Sequence, residues 1–353
     1  MEEWWRKSVE HLKEELKFLG INLDYDEVHE IQFLAERKYN RYDQYLPGET
    51  FQHRLIEWLN NFDKKDRTVA IQIIKNLVYI NRHELRSLTV STFWNSIRII
   101  QNELSNRNNA KKILQVYLDK VEAETVNALN RSLFIAVSDD VMFDYFRRRA
   151  QRRYPMLQPD NFVEYYKLHE KCQKDDLNDL KEIDRIFLID QLCASGTTFI
   201  RKENSDWKGK IIRFFDIWKN LSTHDIYYLP YIISTVAEKN LKRKISEWKC
   251  QNKITQLIEV VPTLRIPISV CLSPNPSGPI NKNIPVAKLC KKYFKDCIIH
   301  EHIKKGGPPT YGFGRAGLAL IINTNCPNNS MPVIWCGCDG WFPLFPRIEH
   351  HHR

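Results

Sequence analysis

Three runs limit what this chain can become: SLFIAV (132–137), RIFLID (185–190) and IYYLPYIIS (226–234). Each is short and apolar at successive positions instead of alternate ones. A strand that is apolar on both faces is stable only in a sheet covered on both sides. Helix-patterned segments follow: VMFDYFRRRAQRR (141–153), KIIRFFDIWKNL (210–221) and VAEKNLKRKISEW (236–248). ITQLIEVV (254–261) is a further strand candidate. Strands alternating with helices predict an α/β fold around a parallel sheet. In such sheets ligands bind beyond the carboxyl ends of the strands. The segments SDD (138–140) and DQLCASGTT (190–198) are expected there.

The flanks read differently. Residues 1–130 read as a helical N-terminal domain without a catalytic constellation. Phe51, Leu55, Trp58, Leu59 and Phe62 form one helical stripe, and Ile113, Leu114, Tyr117, Leu118 and Val121 another. From about residue 262 the chain is rich in Pro, Gly and Asn, with LALII (318–322) and PVIW (332–335) between loops. This part reads as a loop-rich, partly β hood. The expected division is therefore 1–130, 131–347 and a tail at 348–353.

Composition narrows the function classes. The 353 residues are 43% hydrophobic with only 12 glycines, enough for a real core and too ordered for a disordered chain. No apolar run approaches a membrane span, and MEEWWRKSVEHLKEEL is unlike a secretory signal, so a cytoplasmic protein without a membrane role is expected. The nine cysteines are an odd, scattered set, which suits reduced thiols. Cys326, Cys336 and Cys338 lack the paired spacing of a zinc site. A formal net charge of +10 favours an anionic partner.

The segment 185–201 carries the sharpest chemistry. A buried strand stops at small residues and hydroxyls, and a helix is expected to begin there. The first amides of such a helix, with its dipole, attract an anion. Gly196 lets the backbone approach closely, and Ser195, Thr197 and Thr198 add hydroxyl donors. Asp190 would repel a phosphate, so it suits sugar hydroxyls or a magnesium site. The lysine of an ATPase P-loop is missing. An ordinary strand–turn–helix connection is the plainer reading.

This segment resembles the 5-phosphoribosyl-1-pyrophosphate (PRPP) loop of type I phosphoribosyltransferases. There, apolar residues precede two acids, small residues and then Thr/Ser-Gly-x-Thr. Asp190 matches the first acid, Gln191 stands for the second, and Ser195, Gly196 and Thr198 match the remainder. The resemblance implies that Asp190 and Gln191 orient the ribose, while Ala194, Ser195, Gly196, Thr197 and Thr198 bind its 5-phosphate. Ser138, Asp139 and Asp140 occupy the position of the pyrophosphate loop, with Asp139 and Asp140 as candidate Mg2+ ligands. Pro327, Asn328, Asn329, Trp335, Trp341, Pro346 and Arg347 are similar to a pattern in phosphoribosyltransferase-like proteins of bacterial conflict systems. That resemblance spans roughly residues 45–347. It implies anti-phage defence operons, some of which hold a reverse transcriptase and its noncoding RNA, as in retrons. Two readings stand: a phosphoribosyltransferase acting on PRPP, and a non-catalytic sensor of a nucleotide-like molecule or a nucleic-acid-binding scaffold.

Other signals are weaker. Gly312–Gly317 spells GxGxxG but precedes a strand-like run, so it reads as a glycine-rich loop. Arg147, Arg148, Arg149, Arg152 and Arg153 form either a solvated helix face or a nucleic-acid or partner patch. LKRKISEWK (241–249) poses the same choice. His300 and His302 lack a third metal ligand, and His350–His352 carry no argument.

Overall fold

A computed structural model describes residues 2–107, 114–168, 183–218, 224–272, 284–294, 309–337 and 340–348. His300, His302, Cys338 and Ile113 lie outside the described residues, as do the side chains of Leu114, Tyr117, Leu118 and Val121. The chain divides into two compact units, Met1–Leu85 with Pro267–Arg353, and Arg86–Ile266. These divisions differ from those that the texture of the sequence suggests.

The first unit begins with helices α1 (Glu2–Phe18), α2 (Tyr25–Arg37), α3 (Phe51–Asn60) and α4 (Arg67–Lys75). A capping box between Asp24 and Glu27 starts α2, and the Thr50 hydroxyl accepts the His53 amide at the start of α3. The predicted stripe of Phe51, Leu55, Trp58, Leu59 and Phe62 is fully buried. Strand β1 (Val78–Ile80) pairs in parallel with Leu320–Ile322. The C-terminal segment completes this core. Trp58 Nε1 donates to the Val333 carbonyl at 2.7 Å, Arg54 Nη1 to Pro343 at 2.9 Å and Tyr45 Oη to Leu344 at 3.0 Å. Phe345 is enclosed by the rings of Tyr39, Tyr42, Tyr45, Phe51 and Tyr79.

The second unit is built on a parallel sheet in the order β3-β2-β4-β7-β8. Its strands are β2 (Ser132–Ala136), β3 (Phe162–Glu164), β4 (Arg185–Cys193), β7 (Asp225–Ser234) and β8 (Ile258–Val260), with β9 (Leu264–Ile266) also pairing β7. As its apolar faces predict, β4 is central, between β2 and β7. Pro230 lacks an amide hydrogen and lies where β7 passes from β8 to β9. Its carbonyl accepts the Thr263 amide at 3.1 Å.

Helices α5 (Arg82–Arg107), α6 (Leu114–Asn130) and α7 (Phe143–Arg153) precede or follow β2. Phe93 of α5 meets the rings of Phe134, Phe146 and Tyr154, which is why most of this helix belongs with the sheet. At the amino end of β4, buried Arg185 pairs with Glu103, whose other oxygen accepts from Tyr227. PVIW (332–335) is a single helical turn, not a strand, because Pro332 starts it and Cys336 N closes back on the Pro332 carbonyl.

Candidate functional site

The two segments singled out in the sequence meet at the carboxyl ends of β2 and β4. Ser138 Oγ donates to Asp190 Oδ1 at 2.7 Å, and Gln191 Nε2 donates to the Asp140 carbonyl at 2.8 Å. Asp190 and Gln191 are consecutive in a strand, so they point to opposite faces of the sheet. Gln191 thus ties down the turn after β2 with a neutral donor, a bond that an acid in its place could not make.

Asp190 lies inside β4, not at its end, because pairing with β7 continues to Cys193. It is only 7% exposed. Tyr228 Oη donates to Oδ2 at 2.9 Å, and Lys210 Nζ stands 3.9 Å from the same oxygen. Burial and the Asp190 charge hold the Tyr228 hydroxyl well above its ordinary range, so it stays a donor. Burial likewise pushes the Cys193 thiol up to about 12, with the Asp190 charge adding to it. This cysteine is therefore an inert neutral group and not a nucleophile.

Residues Ala194–Ile200 form a turn, but no helix opens from it. An antiparallel hairpin follows, β5 (Arg201–Glu203) and β6 (Asp206–Lys208), and the next helix, α8 (Lys210–Ile217), starts only after it. The first amides of α8 are also taken: Lys210 N donates to the Thr198 carbonyl and Ile211 N to Phe199. The helix-dipole part of the sequence argument therefore does not hold. What remains is the turn's own chemistry. The amides of Ser195 and Thr198 donate to no protein acceptor among the described residues. Ser195 Oγ and Thr197 Oγ1 are 2.8 Å apart and bonded to each other, and Thr198 is exposed.

Gly196 is needed for packing. Its φ is +77°, and a Cβ there would stand 2.9 Å from Leu241 Cγ. Leu241 lies on helix α9 (Thr235–Gln251). Ser234 holds the same junction, donating to the Ala194 carbonyl at 2.6 Å while accepting the Ala237 amide as the cap of α9. The glycine's open side thus faces a helix.

Asp139 and Asp140 are exposed on the turn after β2. Among the described residues, no group of three or more His, Cys, Asp or Glu side chains is placed to hold a metal ion. All five predicted arginines lie on α7, where Arg147 and Arg148 share Asp144, and Arg153 stands 3.6 Å from Glu122. Three residues of the site escaped the sequence reading. Tyr228 and Ser234 were hidden in a run that reads simply as a strand, and Lys210 lies twenty positions beyond Asp190 with no motif around it.

The C-terminal motif is structural. Gly312, at φ +78°, lies against the backbone of Asn328–Ser330, with the Ser330 carbonyl 2.5 Å from where a Cβ would be. Asn329 Nδ2 donates to the Phe313 carbonyl at 2.9 Å, and Arg347 Nη1 donates to Cys326. The GxGxxG run and the Pro-Asn-Asn run are two sides of one packed loop pair.

The β2 and β4 ends of the parallel sheet thus carry two interlocked turns. The model of PRTase-CE, a phosphoribosyltransferase-like family, matches residues 55–347. The chain belongs to the PRTase-CE family. The match runs through both candidate turns and the C-terminal motif, and the mixed α/β architecture accords with it. No curated protein and no solved structure matches the chain. No helix among the described residues of this PRTase-CE protein is long and apolar enough to cross a membrane.

Proposed function

We propose that this PRTase-CE protein binds a ribose 5-phosphate ligand of the PRPP type and transfers the phosphoribosyl group to an acceptor. The observation that carries this reading is the Ala194–Thr198 turn at the end of the central strand. It offers the open amides of Ser195 and Thr198 and a hydroxyl pair, with the Lys210 ammonium close to the neighbouring Asp190. Together they supply charge-assisted donors to a phosphate. Asp190 and Gln191 hold the two turns in register beside the ribose.

The substrate would carry Mg2+ on its pyrophosphate. Asp139 and Asp140, two exposed acids on the adjoining turn, would meet that ion, and the ligand's own oxygens would supply the other positions. In the reaction the bond from ribose C1 to pyrophosphate breaks with its electron pair leaving on oxygen. An acceptor lone pair forms the new bond to C1, and the acceptor's proton goes to water. The protein's part is to position and to stabilise charge.

A second reading, a sensor that binds the ligand without turnover, is favoured by one feature. Both oxygens of Asp190 already accept bonds from the protein, which leaves its carboxylate poorly placed to follow changes at the sugar. Isotope-labelled PRPP with Mg2+ separates the readings. An enzyme consumes the label, a sensor protects it, and no binding at all removes both.

The resemblance of the C-terminal motif to conflict-system proteins supports a role in anti-phage defence in the cytoplasm, with a reverse transcriptase and noncoding RNA or other operon proteins as partners. Plaque counts with and without an intact Ala194–Thr198 turn test that setting.

A further inference from the structure

The geometry points to a second binding surface on the sheet-bearing unit, a docking face for the phosphate backbone of nucleic acid formed by Arg86, Arg148, Arg149 and Arg152. The surface is independent of the ribose-phosphate reading.

Helix α7 buries Phe146 and Ala150 and turns its other face outward. Residues 145, 148, 149 and 152 share that outer face by helical spacing. Arg148, Arg149 and Arg152 are exposed. From α5, Arg86 joins them: its guanidinium carbon lies 5.6 Å from the centre of the Tyr145 ring, and that of Arg149 lies 5.0 Å from the same centre. One tyrosine thus gathers cations from two helices at one place on the surface.

Charge balance separates this face from an ordinary solvated helix. Arg86, Arg149 and Arg152 pair with no carboxylate among the described residues. Arg148 shares Asp144 with Arg147, and its side chain is 74% exposed, so that pair is weak and easily exchanged for a phosphate. The basic positions of α7 are all arginines. Their planar forks match phosphate oxygens in pairs, and they are already oriented by ring contacts. Arg148 and Arg152 are one helical turn apart, about 6 Å along α7, on the scale of the separation between neighbouring phosphates of one strand. With two guanidinium groups over it, the Tyr145 ring orients charge instead of presenting a bare stacking face. Binding is therefore to the backbone and insensitive to base sequence.

The test uses the full chain and a short fluorescent RNA duplex, titrated between about 50 and 200 mM salt. The expected result is salt-dependent binding. Arg149→Glu with Arg152→Glu lowers affinity at least about tenfold near 0.1 M salt and reduces the log–log salt slope by roughly two. The thermal midpoint should not move, since both side chains are exposed. If that pair fails to fold, Arg149→Gln with Arg152→Gln reads the same slope. Three outcomes overturn the proposal: unchanged affinity and slope in the variant, an equal loss on Arg243→Glu far along α9, or binding of polyglutamate with none of the duplex. The last would assign the face to an acidic protein.

Discussion

Gly196 shows how a residue can match a ligand-loop pattern and still be fixed by packing. Its positive φ costs a branched residue about 1–3 kcal/mol, and a side chain would also press on Leu241. Gly196→Val is therefore expected to lower the thermal midpoint sharply, with loss of function following from loss of structure. The sequence alone cannot tell which side of the turn faces the helix. Pairing it with Leu241→Ala should recover only part of the stability, since the backbone strain remains. A midpoint equal to that of the parent would show that the turn is not held against α9. Lys210 makes a different case, a mostly buried side chain whose charge lies next to Asp190. Lys210→Met removes the cation 3.9 Å from Asp190 and leaves the helix intact. Ribose 5-phosphate binding should weaken by about tenfold or more, as for loss of one charge-assisted bond. Isothermal titration reads it, and unchanged affinity would place the phosphate elsewhere.

The strands of the central sheet were legible because burial on both faces leaves uninterrupted apolar runs, as in Leu133–Ala136 and Ile186–Ile189. The carboxyl end of β4 was not legible. The polar pair Asp190–Gln191 looks like a strand's end, yet Leu192 and Cys193 continue the ladder because Asp190 finds Ser138 and Tyr228 to bond with. Three-residue strands such as β3 and the β5–β6 hairpin are too short to show a period. The hairpin's tight turn, with Asn204 and Ser205 at φ 48° and 79°, was marked only by a polar pair. The two site turns were each legible. Their contact was not, since the Gln191–Asp140 bond joins positions 51 apart. Pro346 and Arg347 belong to a family pattern without a physical role, and the structure supplies one for this segment: the neighbouring Phe345 is the hub of an aromatic cluster. Phe345→Ala should cost about 3–5 kcal/mol, the range for emptying a buried aromatic site. Chemical denaturation followed by tryptophan fluorescence reads it, with Trp58 in the same core. A cost under about 1 kcal/mol would mean that the segment only rests on the helices.

Buried thiols are spread through both units, and they set a common limit at high pH. Burial holds Cys193, Cys290 and Cys326 each up to about 12. In the unfolded chain a thiol titrates near 8.5. The folded values are raised, so these groups stabilise the fold fully below the unfolded value, and that contribution is lost as pH climbs through the folded one. Buried Tyr39, Tyr79 and Tyr227 shift in the same direction. Thermal midpoints should therefore fall steadily from about pH 8.5 toward 12, each fully shifted thiol adding up to ~1.4 kcal/mol per pH unit. A flat profile across that window would show that the thiols do not stay neutral inside the fold. The order of the two units along the chain has a different consequence, for synthesis. Asn61 and Phe342 bond to each other across 281 positions. At about 5–20 residues per second, the ribosome needs roughly 15–55 s to cover that interval. The sheet-bearing unit, consecutive from Arg86 to Ile266, can close while translation continues. Helices α1–α4 wait with their apolar faces open until the segment around Phe342 emerges, so the demand for chaperones falls on those helices.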